Sequence, residues 1–141
     1  VHSRLAMSNF SQTTTEIRST LTTGALRIPF GKIASEILSQ RYVLSLVLCG
    51  DKLARNINLK YRKKGYPSNV LSFPLGEYEG EIFLNIRKAE REAKALGISA
   101  RQRIAHLFVH GCLHLRGFKH GTEMEKLERK TLKKSGFNPV T

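Results

Sequence analysis

The sequence predicts a single α+β domain in which a small β-sheet packs against several helices, the central one buried and carrying a cluster of histidines. Three observations carry this expectation. The chain has 141 residues, the size at which one hydrophobic core forms without a second domain, so one domain is read over 1–141. Short Val- and Leu-rich stretches bounded by Gly and Pro alternate with longer segments of helical period. The stretch from Ser99 to Leu115 is apolar nearly all round, which marks a helix enclosed by the rest of the fold.

Taken in order, residues 1–29 hold a Thr-rich stretch, Thr13 to Thr15, read as a strand followed by a turn. From Gly31 to Gln40, Ile33, Ile37 and Leu38 recur at helical spacing. Tyr42 to Cys49 reads as a buried strand stopped by Gly50 and Asp51. Asp51 is the expected N-cap of a helix that carries Leu53, Ala54, Ile57 and Asn58 toward Tyr61. A basic loop, Arg62 to Ser68, leads into a strand from Asn69 to Phe73 that Pro74 should end, since proline cannot donate to a ladder. Leu75 to Gly80 is short enough for an antiparallel hairpin, with Glu81 to Asn85 returning. Arg87 to Leu96 reads as a helix stopped by Gly97, and Ser99 caps the long helix to Leu115. A last helix, Thr122 to Ser135, turns Met124, Leu127 and Leu132 inward and most of its lysines and arginines outward.

The formal charge is +13, from 24 Lys+Arg against 11 Asp+Glu. Residues 51–141 carry 19 of those basic side chains and 9 of the acidic ones, so most of the field belongs to the part that also holds the histidine cluster. A polyanionic partner is the natural inference. Cys49 and Cys112 lie in apolar stretches and are too few for a disulfide framework, which fits buried thiols in a reducing compartment. No apolar run approaches the roughly 20 residues of a membrane helix, and Val1 to Thr14 lacks the apolar centre of a signal peptide. A cytoplasmic protein with no membrane partner is expected.

Four of the five histidines fall in one short segment, at His106, His110, His114 and His120. Residues four apart on a helix differ by about 40° of rotation, so His110 and His114 project from one face and can reach a common ion. Gly117 can adopt the left-handed conformation that ends a helix and turns the chain back, bringing His120 to the same point. Three nitrogen ligands with a fourth position open is the pattern of a catalytic zinc, one ion per chain, rather than a structural one. Cys112 lies about 200° round the helix from both His110 and His114 and should not be a ligand. His2 reads as an ordinary histidine, and His106, one turn before His110, as a wall or support of the site. The spacing is that of the metzincin frame H-E-x-x-H-x-x-G-x-x-H except after the first histidine, where Gly111 stands in place of the glutamate general base. Arg116 and Lys119 add positive charge to the same segment, which favours an anionic phosphodiester over a peptide bond.

The segment from His110 to His120 resembles the signature H-G-x-L-H-L-x-G-[YF]-D-H of the YbeY family of bacterial endoribonucleases, differing in one place. A second family block, N-x-x-Y-R-x-x-D-x-P-T-D-V-L-S-F-P, is recognisable from Asn58 to Pro74, and the family's G-D-I strand as Gly80-Glu81-Ile82. The resemblance covers about Asp51 to Phe137. It implies a small mixed sheet, a zinc held by His110, His114 and His120, and hydrolysis of single-stranded RNA in ribosomal RNA maturation and ribosome quality control. Single-stranded RNA, ribosomal RNA and the ribosome are the implied partners, and DNA is not. Within the second block it implies Arg62 as the catalytic residue besides the ligands. Three departures from the family pattern, Lys119, Gly65 and Asn69, each remove a carboxylate and with it a partner for the site.

The expected chemistry is metal-assisted phosphodiester hydrolysis in which Arg62 stabilises charge developing on phosphorus, while neighbouring lysines attract the backbone. Tyr61, Tyr66 and Phe73 are read first as packing residues, with base stacking as their second role. Two other classes remain open at this point: a metallopeptidase sharing the histidine frame, and a noncatalytic zinc-stabilised module that binds RNA or the ribosome.

Overall fold

A computed structural model describes residues 13–21 and 27–138. His2 lies outside them, and so do residues 22–26, within the stretch where a turn was expected after the first strand. Strands β1 (Thr14–Ser19), β2 (Val43–Cys49), β3 (Val70–Gly76) and β4 (Glu79–Asn85) form one sheet. Helices α1 (Phe30–Ile37), α2 (Asp51–Arg62), α3 (Ile86–Leu96), α4 (Ala100–Leu115) and α5 (Thr122–Lys134) complete the described chain. The strand order is β1-β2-β4-β3, with β1 and β4 parallel to β2 and β3 antiparallel to β4. The fold is therefore the small mixed sheet with several helices that was expected.

The alternation of side chains along a strand divides the sheet into two faces. Leu44, Leu46 and Leu48 of β2 and Ile82 and Leu84 of β4 turn to one face and join the main core. That core is built around α4, whose Ile104, Ala105, Leu107, Phe108, Val109, Cys112 and Leu113 are all buried, as its all-round apolar sequence requires. Phe30 of α1 meets Phe108 edge-on at 4.9 Å, and α3 and α5 close the remaining sides. On the opposite face, Val47 and Cys49 pack under Ala54 and Leu53 of α2, with Phe83 beside them. No helix among the described residues is long and apolar enough to cross a membrane.

Several local expectations are met by their stated causes. Ser99 caps α4 by accepting from the Gln102 N–H at 3.1 Å, and Gly97, at φ 73°, ends α3. Three details differ. Asp51 is the first residue of α2 and not its N-cap, which is Gly50. Its carboxylate turns away from the helix N–H groups to take two bonds of 2.9 Å from the Arg91 guanidinium and one from Asn85. A bidentate charged pair outweighs a single capping bond. Strand β3 does not end at Pro74 but runs to Gly76 through a register shift there, because β3 lies at the sheet edge where a missing N–H costs no ladder bond. The hairpin thus needs only Glu77 and Tyr78 as its turn. In α5, Leu127 is only partly buried, and the inward position falls to Glu128.

Two glycines mark where helix and sheet approach most closely. A Cβ on Gly80 would fall against the Tyr42 hydroxyl and within 2.9 Å of Leu115. One on Gly111 would come within 3.0 Å of the Ser72 hydroxyl and 3.2 Å of Ile82 and Val70. The Ser72 hydroxyl in turn donates to the Gly111 carbonyl at 2.9 Å, so α4 lies directly on β3 and β4.

The Gly80→Ala protein is expected to lose about 1–3 kcal/mol of stability by overpacking, read as a lower thermal unfolding midpoint. A second outcome concerns acid. The Arg91 and Asn85 bonds hold the Asp51 carboxyl at about 2 against an ordinary 3.8. The stability linked to this depressed value is present above pH 3.8 and is lost as pH falls toward 2. Asp51→Asn should therefore flatten the acid limb of a stability-against-pH curve in that window and leave its shape near neutrality unchanged.

Candidate metal centre

Helix α4 presents His110 and His114 from one face, one turn apart, as the four-residue spacing dictates. The helix ends at Leu115 with Arg116 as its C-cap, and Gly117 takes φ 101°, a conformation that only glycine adopts cheaply. The Gly117 N–H bonds to the His114 carbonyl at 2.9 Å and the Phe118 N–H to the Leu113 carbonyl at 3.1 Å, closing the turn that returns the chain. His120 is thereby carried back over the helix end. One nitrogen from each of His110, His114 and His120 lies within 4.8 Å of the others, so a single point can be reached by all three.

Hydrogen bonding fixes which nitrogens face that point. His114 Nδ1 donates to the Phe118 carbonyl at 2.9 Å, and His110 Nδ1 bonds a Glu128 carboxylate oxygen at 2.5 Å. With both Nδ1 atoms engaged as donors, the two Nε2 atoms carry lone pairs, and they stand 3.0 Å apart. In the neutral rings these lone pairs repel unless a proton or a metal cation lies between them. The donor set therefore fits a divalent transition metal, for which imidazole is a preferred ligand. Burial lowers the His114 pKa below its ordinary 6.5, which keeps that imidazole neutral and available for coordination.

Glu128 is the residue of this centre that the sequence analysis missed. Its second oxygen bonds His106 Nε2 at 3.2 Å, so one carboxylate spans two successive turns of α4. Burial pushes its carboxyl upward, but the bonds to His106 and His110 hold it down at about 2, so it remains an anion behind the ligands. A signal was present in the sequence: Met124, Glu128 and Leu132 share one face of α5, and the flanking two are buried apolar residues. A carboxylate at the middle of an apolar stripe needs a polar partner from another element. His106 accordingly stands behind the ligand set, also 3.4 Å from an Arg103 guanidinium nitrogen.

The histidines open onto a groove of about 460 Å³, whose other walls are Arg62 and the edge-strand segment from Ser68 to Ser72. The structure thus brings Arg62 and the histidine triple to one cleft. Arg62 is the last residue of α2, not a loop residue as expected, and Lys63 follows it at φ 59° to turn the chain away. Asn58, fully buried one turn earlier, braces that turn by donating to the Tyr66 carbonyl at 2.8 Å. None of the described residues lining the groove carries a carboxylate. Of the three departures from the resembling family, Lys119 and Gly65 are exposed, and Asn69 donates to both oxygens of Glu92 at 3.2 Å.

A sequence profile described as Endoribonuclease YbeY matches residues 8–139. A protein named Endoribonuclease YbeY from Polynucleobacter asymbioticus is 35% identical over 131 residues, which are 80% of this chain and 84% of that protein. Its namesake from Gluconobacter oxydans is 40% identical over 100 residues, 66% of this chain and 60% of that protein. A protein of Thermotoga maritima, solved in solution, shares the fold with a TM-score of 0.63 at 23% identity, over 84% of this chain and 86% of that one.

Purified protein is expected to carry about one metal ion per chain, and His114→Ala to lose it, as read by elemental analysis. Glu128→Ala should lower metal affinity about 10- to 100-fold while leaving the three ligands in place, because it frees the His110 ring and removes a negative charge behind it. A competition titration against a chelator measures this; unchanged affinity would show that Glu128 serves packing alone.

Proposed function

The chain belongs to the YbeY family of endoribonucleases, and on that footing we propose that it is a zinc-dependent enzyme that cuts single-stranded RNA. Ribosomal RNA is its proposed substrate, in ribosome maturation and quality control in the cytoplasm. The observation that carries this reading is the composition of the groove, in which three imidazoles and one guanidinium face the edge of β3 with no carboxylate among the described lining residues. Such a cleft suits a phosphodiester, which brings its own negative charge.

His110, His114 and His120 would hold the zinc, and Glu128 would keep the His110 ring turned toward it. When bound, the ion supplies Lewis acidity toward the phosphodiester. Arg62 contributes a planar fork that can hold two phosphoryl oxygens at once, so its contact strengthens as charge builds on phosphorus. Lys63 and Lys64, exposed beside it, act as point charges that draw the backbone in. Two features of the site argue against a peptidase. Gly111 occupies the place of the general base, and the contacts around it leave no room for a larger side chain without movement of β3 or β4.

Metal-loaded protein is expected to cleave ribosomal RNA and to stop doing so on chelation, while still binding it. Binding without cleavage in the loaded state would identify a noncatalytic module instead. Arg62→Ala should reduce single-turnover cleavage by about 10²–10³-fold, as removal of one charge-stabilising donor does, with RNA affinity at fixed salt changed much less. Lys63→Ala should show the reverse balance. Equal loss of binding and turnover in Arg62→Ala would remove its catalytic role.

A further inference from the structure

An aromatic cluster lies next in the chain to two groove-lining residues, Arg62 and Ser72, and takes no part in the chemistry described above. The Tyr61 ring is 58% exposed and lies 5.5 Å from Phe73 at an angle of 57°. Phe73, half-buried, meets Phe83 edge-on at 6.0 Å, and Phe83 packs on the small core formed by Val47, Cys49 and Ala54. The cluster is thus anchored at one end and open to water at the other. Its place is set by two chain neighbours. Tyr61 precedes Arg62 on α2 and Phe73 follows Ser72 on β3, and both Arg62 and Ser72 line the groove. Successive strand residues point to opposite faces, so Phe73 lies just across the edge strand from the histidines.

The charge around the cluster is one-sided. Lys60, Arg62, Lys63 and Lys64 are exposed beside Tyr61, and the Lys60 ammonium is 5.2 Å from the centre of its ring. Glu81, opposite Phe73 in register, is already held by Arg18 at 2.9 Å and by Ser45 at 3.0 Å. Exposed aromatic rings set among cations with no acidic partner among the described residues are suited to a flat, uncharged ring attached to a phosphate backbone. An apolar protein partner would instead have to desolvate these cations without pairing them.

We propose that Tyr61 and Phe73 form a shelf that stacks nucleobases of a single strand next to the bond lying over the metal centre. The proposal rests on the RNA-cleaving reading and adds to it a base-binding subsite. Bases paired in a duplex are already stacked and cannot occupy the shelf, so it selects single strands. Every base has a π face, so it does so with little regard to sequence.

The test measures affinity of the metal-loaded full chain for a 2′-O-methyl oligouridine and for an abasic strand of the same length and charge, at fixed salt. The base-containing strand should bind more tightly, by about 10- to 100-fold for each stacked base. Tyr61→Leu should lower its affinity toward that of the abasic strand, leaving abasic binding and the slope of affinity against salt unchanged. Tyr61→Phe should behave as the parent. Phe73→Leu should repeat the Tyr61→Leu result; because Phe73 is half-buried, its thermal midpoint is measured alongside, and Tyr61→Leu alone decides if it has fallen. Equal binding of the two strands by the parent, or equal performance of Tyr61→Leu and Tyr61→Phe, overturns the proposal. So does concentration-dependent self-association that Tyr61→Leu abolishes with RNA affinity unchanged, which would make the cluster a contact between copies. Cleavage of an unmodified strand is followed in parallel. Cleavage without base-dependent binding removes the shelf alone, and base-dependent binding without cleavage removes only the catalytic reading.

Discussion

The contact of α4 with the sheet at Gly111 sets how His110 and His114 lie against β3. With no side chain at that residue, the helix backbone comes near enough to β3 for the Ser72 hydroxyl to reach the Gly111 carbonyl at 2.9 Å. That approach sets His110 and His114 beside the free edge of β3 and makes the strand the far wall of the groove. A larger residue at 111 would push helix and strand apart and widen the groove beside the histidines. The glycine that removes a peptidase's base is therefore also what gives the groove its width.

A second constraint acts from behind. Glu128 is buried on α5 and bonded to both His106 and His110, so the packing of α5 on α4 and the orientation of the His110 ring are one event. His114 is oriented differently, by the Phe118 carbonyl in the turn that ends its own helix. One histidine is thus held by tertiary packing and another by local backbone. His120, the most exposed of the three, has neither support among the described hydrogen bonds; the Gly117 turn carries it back to meet the His110 and His114 rings at 4.9 and 4.6 Å. Two of the three histidines are thus held by hydrogen bonds and the third is carried on a turn, and all three line the groove.

The polar contacts around the groove also bear on the missing family carboxylates. Asn69 donates to Glu92, and Arg103 reaches both Glu92 and His106, so the strand entry, α3 and α4 are joined by a continuous polar chain. An aspartate at 69 would place a second carboxylate against Glu92 with a single guanidinium to share. Asparagine supplies a donor instead, and the network is satisfied. Lys119 is exposed, where its long stem lets its charge remain in water.

What the sequence determined by itself was whatever depends on residues near one another in the chain. Helical rotation puts His110 and His114 on one face, glycine at 117 permits the turn that returns His120, and the all-round apolar pattern buries α4; each is a consequence of local geometry. The strand and helix series was legible for the same reason. Tertiary structure decided the rest. Asp51 left its capping role because Arg91, distant in sequence, offered two charged hydrogen bonds, and Pro74 stayed in a strand because the sheet order made β3 an edge. Glu128 came to bond two histidines only because α5 crosses α4 at His106 and His110. Tyr61 and Phe73 became neighbours only because α2 and β3 meet beyond the groove. In each case the deciding energy comes from a partner supplied by another element, which periodicity and spacing along the chain do not encode.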